Sequence, residues 1–233
     1  MILLFDIDGT LILSGGAGRR AFERAFRELF GVERAMEGYP PQGKTDYLIA
    51  AELVQRHLKR DPRPGEVETI IAHYVRYLPE EVARSEGYRV LPGVRPALEA
   101  LSRHPRVLLG LATGNVREGA RIKLARGDLY RFFSFGAYGE TFVRREIVHQ
   151  AREEGLRRAR RLGLNHPRVI VVGDTPLDVA AAREADAEVV IVRTGPSTEE
   201  ELRNARPDLL VSTLQDPAFW EFLGLDHDRI RQP

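Results

Sequence analysis

The first ten residues constrain the fold more than any other part of the chain. Residues 1–5 read MILLF, and residues 6–10 read DIDGT. The apolar run is typical of a buried strand in a parallel sheet. Because side chains alternate along a strand, Asp6 and Asp8 are expected to share one face, and Gly9 lets the chain turn away beside them. Two carboxylates held this close need a cation, a shared proton or a division of roles. An ordinary turn after a strand is the alternative for Asp8 and Gly9 alone.

A second apolar run also ends in polar residues. Residues 107–112 read VLLGLA, and Thr113, Gly114 and Asn115 follow. A hydroxyl at the carboxyl end of a strand, next to the free N–H groups of a helix N-terminus, is suited to hold a phosphate group. Taken alone, the tripeptide is by default a helix cap. Its position after a core strand favours the phosphate site.

A third apolar run, residues 169–172, leads into GDTPLD at residues 173–178. Pro176 is placed to start a helix. Asp174 and Asp178 lie four residues apart at this strand-to-helix turn, so their carboxylates can converge on one cation. By itself such a turn is commonly a helix cap. Three strands that each end in polar residues predict one common site.

The string DIDGTL at residues 6–11 resembles the opening motif of the haloacid dehalogenase superfamily, specifically of its phosphatase branch. The turns at 113–115 and 173–178 are similar to the second and fourth motifs of that family. This resemblance implies a doubly wound, Rossmann-like α/β fold with a parallel sheet and an inserted helical cap. It also implies an aspartyl nucleophile at Asp6, a general acid/base at Asp8 and bound Mg²⁺.

The resemblance implies a metal site and a phosphate site at these strand ends. Mg²⁺ prefers oxygen ligands and needs only one or two carboxylates directly. We therefore expect Asp6, the backbone carbonyl of Asp8 and Asp174 to bind it. Asp178 is expected to act through a water or by orienting Asp174. Thr113 and the backbone amides after it are expected to hold the phosphoryl oxygens.

The family also uses a lysine to balance charge, often followed by proline, and this sequence contains no Lys-Pro pair. Lys123 lies about two turns into the helix predicted after the second motif. Helical side chains lean toward the N-terminus, so its ammonium can reach back toward the strand ends. Lys123 is the favoured candidate, Arg144 or Arg145 is the substitute, and a solvated helix face is the alternative for all three.

Residues 14–87 interrupt the alternation of strands and helices. A glycine-rich hinge at 14–18 precedes three predicted helices, the first ending at Gly31 and the others near 45–59 and 64–78. No strand is expected in this region. A helical insertion after the first strand resembles the cap of the family, a lid that closes over the active site and excludes water.

These boundaries predict a core domain of residues 1–13 and 88–233 and a cap domain of residues 14–87. Within the cap, Lys44 follows a loop glycine and is the candidate to contact the substrate phosphate or its leaving group. The alternative is an exposed lysine at a helix start, with Thr45 or Asp46 as the cap.

The composition of the chain excludes several kinds of partner and several kinds of functional site. A chain of 233 residues with a net charge of +1 gives no electrostatic case for a nucleic acid or membrane partner. Without cysteine, disulfides, thiol nucleophiles and thiolate metal sites are excluded. The strand expected from residue 2 leaves no room for a signal peptide, and no apolar run approaches the ~18 residues of a membrane span. A cytoplasmic protein, monomeric or homodimeric, with a loose tail from Asp226 is expected.

The resemblance to this family therefore implies a Mg²⁺-dependent phosphatase for a small phosphorylated metabolite, such as a phosphoglycolate-like ester or a sugar phosphate. A phosphomutase of the beta-phosphoglucomutase type retains the same motifs and is the main alternative. A 2-haloacid dehalogenase lacks an acid at the position of Asp8, and an inactive phosphate-binding protein does not require all of the carboxylates present here. Identity of the substrate is expected to reside in the cap.

Overall fold

The chain folds around a parallel sheet in the computed structural model, which describes residues 1–225. The predicted tail from Asp226 lies outside these residues. The strands are β1 (Ile2–Phe5), β2 (Ile12–Ser14), β3 (Tyr88–Val90), β4 (Leu108–Ala112), β5 (Phe135–Ala137), β6 (Val169–Gly173), β7 (Glu188–Val192) and β8 (Leu209–Val211). The helices are α1 (Ala17–Phe30), α2 (Asp46–Leu58), α3 (Glu66–Ala83), α4 (Val94–Arg103), α5 (Arg117–Arg126), α6 (Arg144–Arg161), α7 (Pro176–Glu184), α8 (Glu199–Asn204) and α9 (Pro217–Leu223).

The main sheet has six strands in the order β5-β4-β1-β6-β7-β8, and each neighbouring pair is parallel. Its strands read as nearly continuous apolar runs because both faces are covered. Leu3 and Phe5 of β1 pack on one face with α4, α5 and α9, while Ile2 and Leu4 pack on the other with α6 and α7. The predicted doubly wound α/β fold is confirmed.

The inserted region has its own apolar core. Helices α1, α2 and α3 enclose a cluster that includes Phe26, Leu53 and Tyr74, all fully buried. Helix α3 runs five residues past its predicted end near residue 78 and contains Pro79. The turn beyond that proline is retained because Glu81 is buried there and forms ion pairs with arginines of α1.

Two short strands flank the insertion and were not predicted. Strands β2 and β3 pair antiparallel, with Ile12 opposite Val90 and Ser14 opposite Tyr88. Three residues are too few to show a strand periodicity in the sequence. The proposed domain boundaries fall at this ribbon, and the division into core and cap remains a prediction. Within residues 1–225, none of the helices is both long and apolar enough to cross a membrane.

Candidate active site

The three predicted turns meet at one edge of the sheet. In the parallel register, Phe5 of β1 lies opposite Leu111 of β4 and Val172 of β6. The next residues along each strand therefore leave the sheet side by side, which brings Asp6 close to Asp174. This geometry explains why polar residues that are distant in sequence form one site.

Three buried carboxylates cluster at this edge. Asp6, Asp174 and Asp178 each place an oxygen within 4.8 Å of the other two. Burial raises the pKa of Asp6 to about 6, with the charge of Arg144 opposing this rise. Burial also raises the pKa of Asp174 well above its usual value, and the charges of Asp178 and Asp6 add to the effect. Excess negative charge makes the cluster a suitable site for a metal cation.

The carboxylate of Asp178 is largely occupied by neighbouring donors. Its Oδ2 accepts hydrogen bonds from the backbone N–H groups of Asp174 (3.3 Å) and Thr175 (3.0 Å) and from the Thr175 hydroxyl (2.7 Å). Its Oδ1 accepts one from Arg144. These bonds form a capping box at the start of α7 and fix the turn that carries Asp174.

Asp8 is not part of this cluster and pairs with Lys123. Its Oδ2 accepts hydrogen bonds from Lys123 Nζ (2.6 Å) and Asn115 Nδ2 (3.0 Å). Burial alone would raise the pKa of Asp8, but the charge of Lys123 and hydrogen bonds from Lys123, Asn115 and Ser14 lower it below its usual value. Asp8 and Asp6 therefore have separate partners and opposite pKa shifts.

The predicted cations occupy three different environments. Lys123 is buried and donates to both Asp8 and Asn115 Oδ1 (2.5 Å). Arg144, the first residue of α6, lies 3.3 Å from Asp6 Oδ1. Arg145 is exposed and its nearest acid is Glu184 at 3.6 Å. The structure thus places Lys123 and Arg144 in the site, on different carboxylates, and Arg145 outside it.

The second predicted motif forms a closed turn. The hydroxyl of Thr113, which is fully buried, accepts hydrogen bonds from the backbone N–H (3.3 Å) and the side-chain amide (2.9 Å) of Asn115. Gly114 lets the insertion approach closely, since a Cβ here would lie 2.2 Å from the backbone oxygen of Lys44. The turn therefore positions Asn115 between Asp8 and Lys123 and supports the insertion.

Lys44 lines the same cavity, but its charge is already paired. Its Nζ donates to Glu52 Oε2 (2.5 Å) and lies 3.3 Å from the Tyr39 hydroxyl. Thr45 caps α2 by accepting a hydrogen bond from the Leu48 N–H at 3.1 Å. Thr45 is thus the helix cap, Lys44 lines the cavity, and a contact of Lys44 with the substrate stays a prediction.

Asp46, expected only as a possible helix cap, joins the insertion to the sheet edge. Its backbone N–H donates to the Gly114 carbonyl (2.7 Å), and its Oδ2 accepts from the Val116 N–H (2.8 Å) at the start of α5. Burial raises the pKa of Asp46 to about 7. Its neighbours in sequence made it look like an ordinary cap residue of α2, and only the tertiary fold reveals its partner.

A cavity of about 500 Å³ opens between the sheet edge and the insertion. Asp6, Asp8 and Asp174 line one end, and residues of α1, α2 and α3 line the other. The fold and this site define an α/β enzyme with clustered carboxylates at the carboxyl ends of its strands and a helical insertion above them.

The chain belongs to the haloacid dehalogenase-like hydrolases, since the model of that family matches residues 1–186. It is 28% identical to "Probable phosphatase IndB" of Dickeya dadantii over 97% of this chain and 93% of that protein. It is 26% identical to a phosphoglycolate phosphatase of Aquifex aeolicus over 92% of this chain and 93% of that protein.

Among solved structures, the fold is similar to that of a protein from Haemophilus somnus titled a predicted phosphoglycolate phosphatase. The TM-score is 0.69, with 20% identity over 94% of this chain and 97% of that one. The predicted family and the prediction of a hydrolytic enzyme are confirmed.

Proposed function

We propose that this hydrolase is a Mg²⁺-dependent phosphatase that cleaves a small phosphate monoester through an aspartyl-phosphate on Asp6. The observation that carries the proposal is the division of roles between two neighbouring aspartates. Asp6 belongs to the buried carboxylate cluster, whereas Asp8 pairs with Lys123, and both line the cavity. This difference supports nucleophilic attack by Asp6 and proton transfer by Asp8.

The chemistry of the carboxylate cluster fits Mg²⁺. Asp6 and Asp174 would bind the ion, with the backbone carbonyl of Asp8 as the third protein ligand and Asp178 as the residue that orients Asp174. The raised pKa values of Asp6 and Asp174 mark a surplus of negative charge that a divalent cation would relieve. When bound, Mg²⁺ supplies positive charge that reduces the repulsion between an anionic nucleophile and a phosphate dianion.

Asp6 attacks the phosphorus atom in its ionised form, and the ester oxygen leaves as an alcohol. Asp8 donates the proton that this oxygen requires and later removes a proton from the water that hydrolyses the aspartyl-phosphate. In the free protein, however, the pKa of Asp8 is lowered, not raised as this role requires. The reason is Lys123, and a phosphate dianion bound beside them would offset that charge and raise the pKa of Asp8.

The positions of the other side chains around the cavity indicate their proposed roles in the reaction. Lys123 balances negative charge at Asp8 and the phosphoryl group, and Arg144 holds Asp6 and Asp178 in place. Within the Thr113 turn, the Asn115 N–H donates to the Thr113 hydroxyl, so the Gly114 N–H would contact a phosphoryl oxygen. Lys44 would approach the leaving group from the insertion. Closure of residues 14–87 over the cavity would exclude water from the first step.

Phosphate release from a panel of esters tests the proposal. The panel contains 2-phosphoglycolate, hexose phosphates, nucleotides and pyrophosphate, each assayed with Mg²⁺ and again with EDTA. We expect Mg²⁺-dependent release with one preferred substrate. Interconversion of a sugar phosphate without release would instead identify a phosphomutase, and release in EDTA would contradict the metal site. Failure to bind beryllofluoride together with no turnover would favour an inactive phosphate-binding protein.

Gly195 provides a test of the metal site that mutates none of the proposed ligands. A Cβ at this position would lie 1.8 Å from Asp174 Oδ2, so Gly195→Ala must displace that carboxylate. We expect Mg²⁺ to raise the melting temperature of the wild type. In Gly195→Ala, the Mg²⁺ concentration needed for this rise should increase by about 10- to 100-fold.

Gly119→Ala is the matched control, because the nearest atom to its added Cβ lies at 3.4 Å. An unchanged Mg²⁺ dependence in Gly195→Ala, with a wild-type melting temperature in the absence of metal, would remove Asp174 from the metal site.

A further inference from the structure

The hydroxyl of Tyr74 is buried and has no hydrogen-bond partner among residues 1–225. Tyr74 belongs to α3 of the insertion and lines the cavity, with its ring stacked on Phe22 at a centroid distance of 4.2 Å. A buried hydroxyl without a partner costs free energy, and native structures keep few of them. The hydroxyl therefore requires a partner from outside the chain.

The hydroxyl lies beside the proposed proton-transfer residues. A Cβ on Gly18 would lie 3.7 Å from Tyr74 Oη and 3.5 Å from Lys123 Nζ, so both polar atoms border the space that this glycine leaves open. Lys123 uses two donors on Asp8 and Asn115, and an ammonium has three. Since Asp8 is proposed to protonate the leaving oxygen, this space lies on the leaving-group side of the site.

Tyr74 acts here as a donor. Burial raises the pKa of its hydroxyl well above the usual value, and the charges of Asp46 and Asp8 add to the rise. The hydroxyl keeps its proton at any physiological pH and would donate it to an oxygen of the ligand.

Arg19 of α1 supplies positive charge in the same cavity. Its guanidinium donates to the backbone carbonyls of Tyr39 (2.8 Å) and Met36, which are neutral. Within the described part of the chain, no carboxylate lies within 4.0 Å of Arg19, whereas Lys44 is paired with Glu52. An arginine without an acidic partner in a cavity favours an anionic ligand.

We propose that Tyr74 and Arg19 form a leaving-group subsite, which binds an anionic oxygen substituent on the alcohol of the phosphate ester. A carboxylate and a second phosphoryl group share this chemistry. The proposal rests on the proposed function, because it assumes that the phosphoryl group lies at Asp6 and the leaving oxygen at Asp8. It assigns substrate selection to two residues of the insertion.

Matched substrates test the subsite. The kcat/KM values of 2-phosphoglycolate and pyrophosphate are each divided by that of ethyl phosphate, which carries no substituent. We expect the wild type to prefer at least one of the two anionic substrates, and the preferred one distinguishes a carboxylate from a phosphoryl group. In Tyr74→Phe and in Arg19→Gln, this selectivity ratio should fall by about 10- to 100-fold. Tyr77→Phe on α3 removes the hydroxyl of a half-buried tyrosine that bonds Glu28, Arg27→Gln on α1 alters an exposed side chain, and the two serve as controls because neither residue lines the cavity.

A binding measurement separates this proposal from the proposed function. Tyr74→Phe removes only an unpaired hydroxyl, so its melting temperature should equal or exceed that of the wild type. Without metal, 2-phosphoglycolate should raise the melting temperature of the wild type more than ethyl phosphate does, and Tyr74→Phe should lose this difference.

Phosphate release from ethyl phosphate with no preference for either anionic substrate would overturn the subsite and leave the phosphatase intact. An unchanged selectivity ratio in Tyr74→Phe would also overturn it and would mean that water satisfies the hydroxyl. If no ester were hydrolysed, the proposed phosphatase activity would be contradicted. The difference in melting temperature between 2-phosphoglycolate and ethyl phosphate would then decide whether the subsite exists.

Discussion

Asp6→Asn is expected to abolish phosphate release and to leave the fold intact. Asparagine has nearly the same shape as aspartate but lacks the carboxylate that attacks the substrate. Loss of a covalent nucleophile lowers turnover by on the order of 10⁴-fold or more. Stability should not fall. Because the pKa of Asp6 is raised to about 6, its ionised form destabilises the metal-free fold above that pH, and this cost is absent for asparagine. Phosphate release and the melting temperature in EDTA, both measured at neutral pH or above, check the two expectations.

Asp186→Asn is the control for this substitution, since Asp186 is fully exposed and remote from the cavity. Its turnover should match that of the wild type. Turnover in Asp6→Asn within tenfold of the wild type would show that another group attacks the substrate.

Lys123→Ala is expected to lower turnover by about 10²- to 10³-fold, because it removes the buried cation beside Asp8. It should also lower the free energy of unfolding by about 1–3 kcal/mol. The cost is smaller than for a fully buried ion pair because the side chain of Asp8 is 37% exposed. Steady-state rates and urea unfolding measure the two effects separately.

Arg121→Ala removes a cation from the exposed face of the same helix and should change neither quantity appreciably. Among residues 1–225, Arg121 forms its ion pair with Glu118, which is also exposed. A near-normal rate in Lys123→Ala would transfer the charge-balancing role to Arg144. The exposed position of Arg145 gives it no access to the site.

The fold and the sheet-edge residues were predictable because they belong to local motifs. Each of Asp6, Thr113 and Asp174 follows a buried apolar strand, and parallel strands bring their carboxyl ends together. The placement of Lys123 followed from the lean of helical side chains toward the N-terminus. Local periodicity and strand polarity thus located the strand ends, whereas the roles of these residues were inferred from the family resemblance and remain predictions.

Residues of the insertion were not predictable in this way. Asp46 and Tyr74 lie on helices whose apolar periodicity describes only how the insertion packs internally. Their relation to Val116 and Lys123 depends on how the insertion docks on the sheet, which is a contact between segments far apart in sequence. The β2–β3 ribbon was missed for a similar reason, since its pairing joins residues more than 70 positions apart.

Trapping of the phosphorylated enzyme tests the central claim most directly. The wild type is mixed with Mg²⁺ and the best substrate of the panel, quenched in acid within one turnover and reduced with borohydride, which converts an aspartyl-phosphate to homoserine. Peptide mass spectrometry then locates the modified residue. Our account predicts homoserine in place of Asp6 and in no other position, and none in samples quenched from EDTA. Phosphate release without any modified aspartate, or with the modification at Asp8, would contradict it.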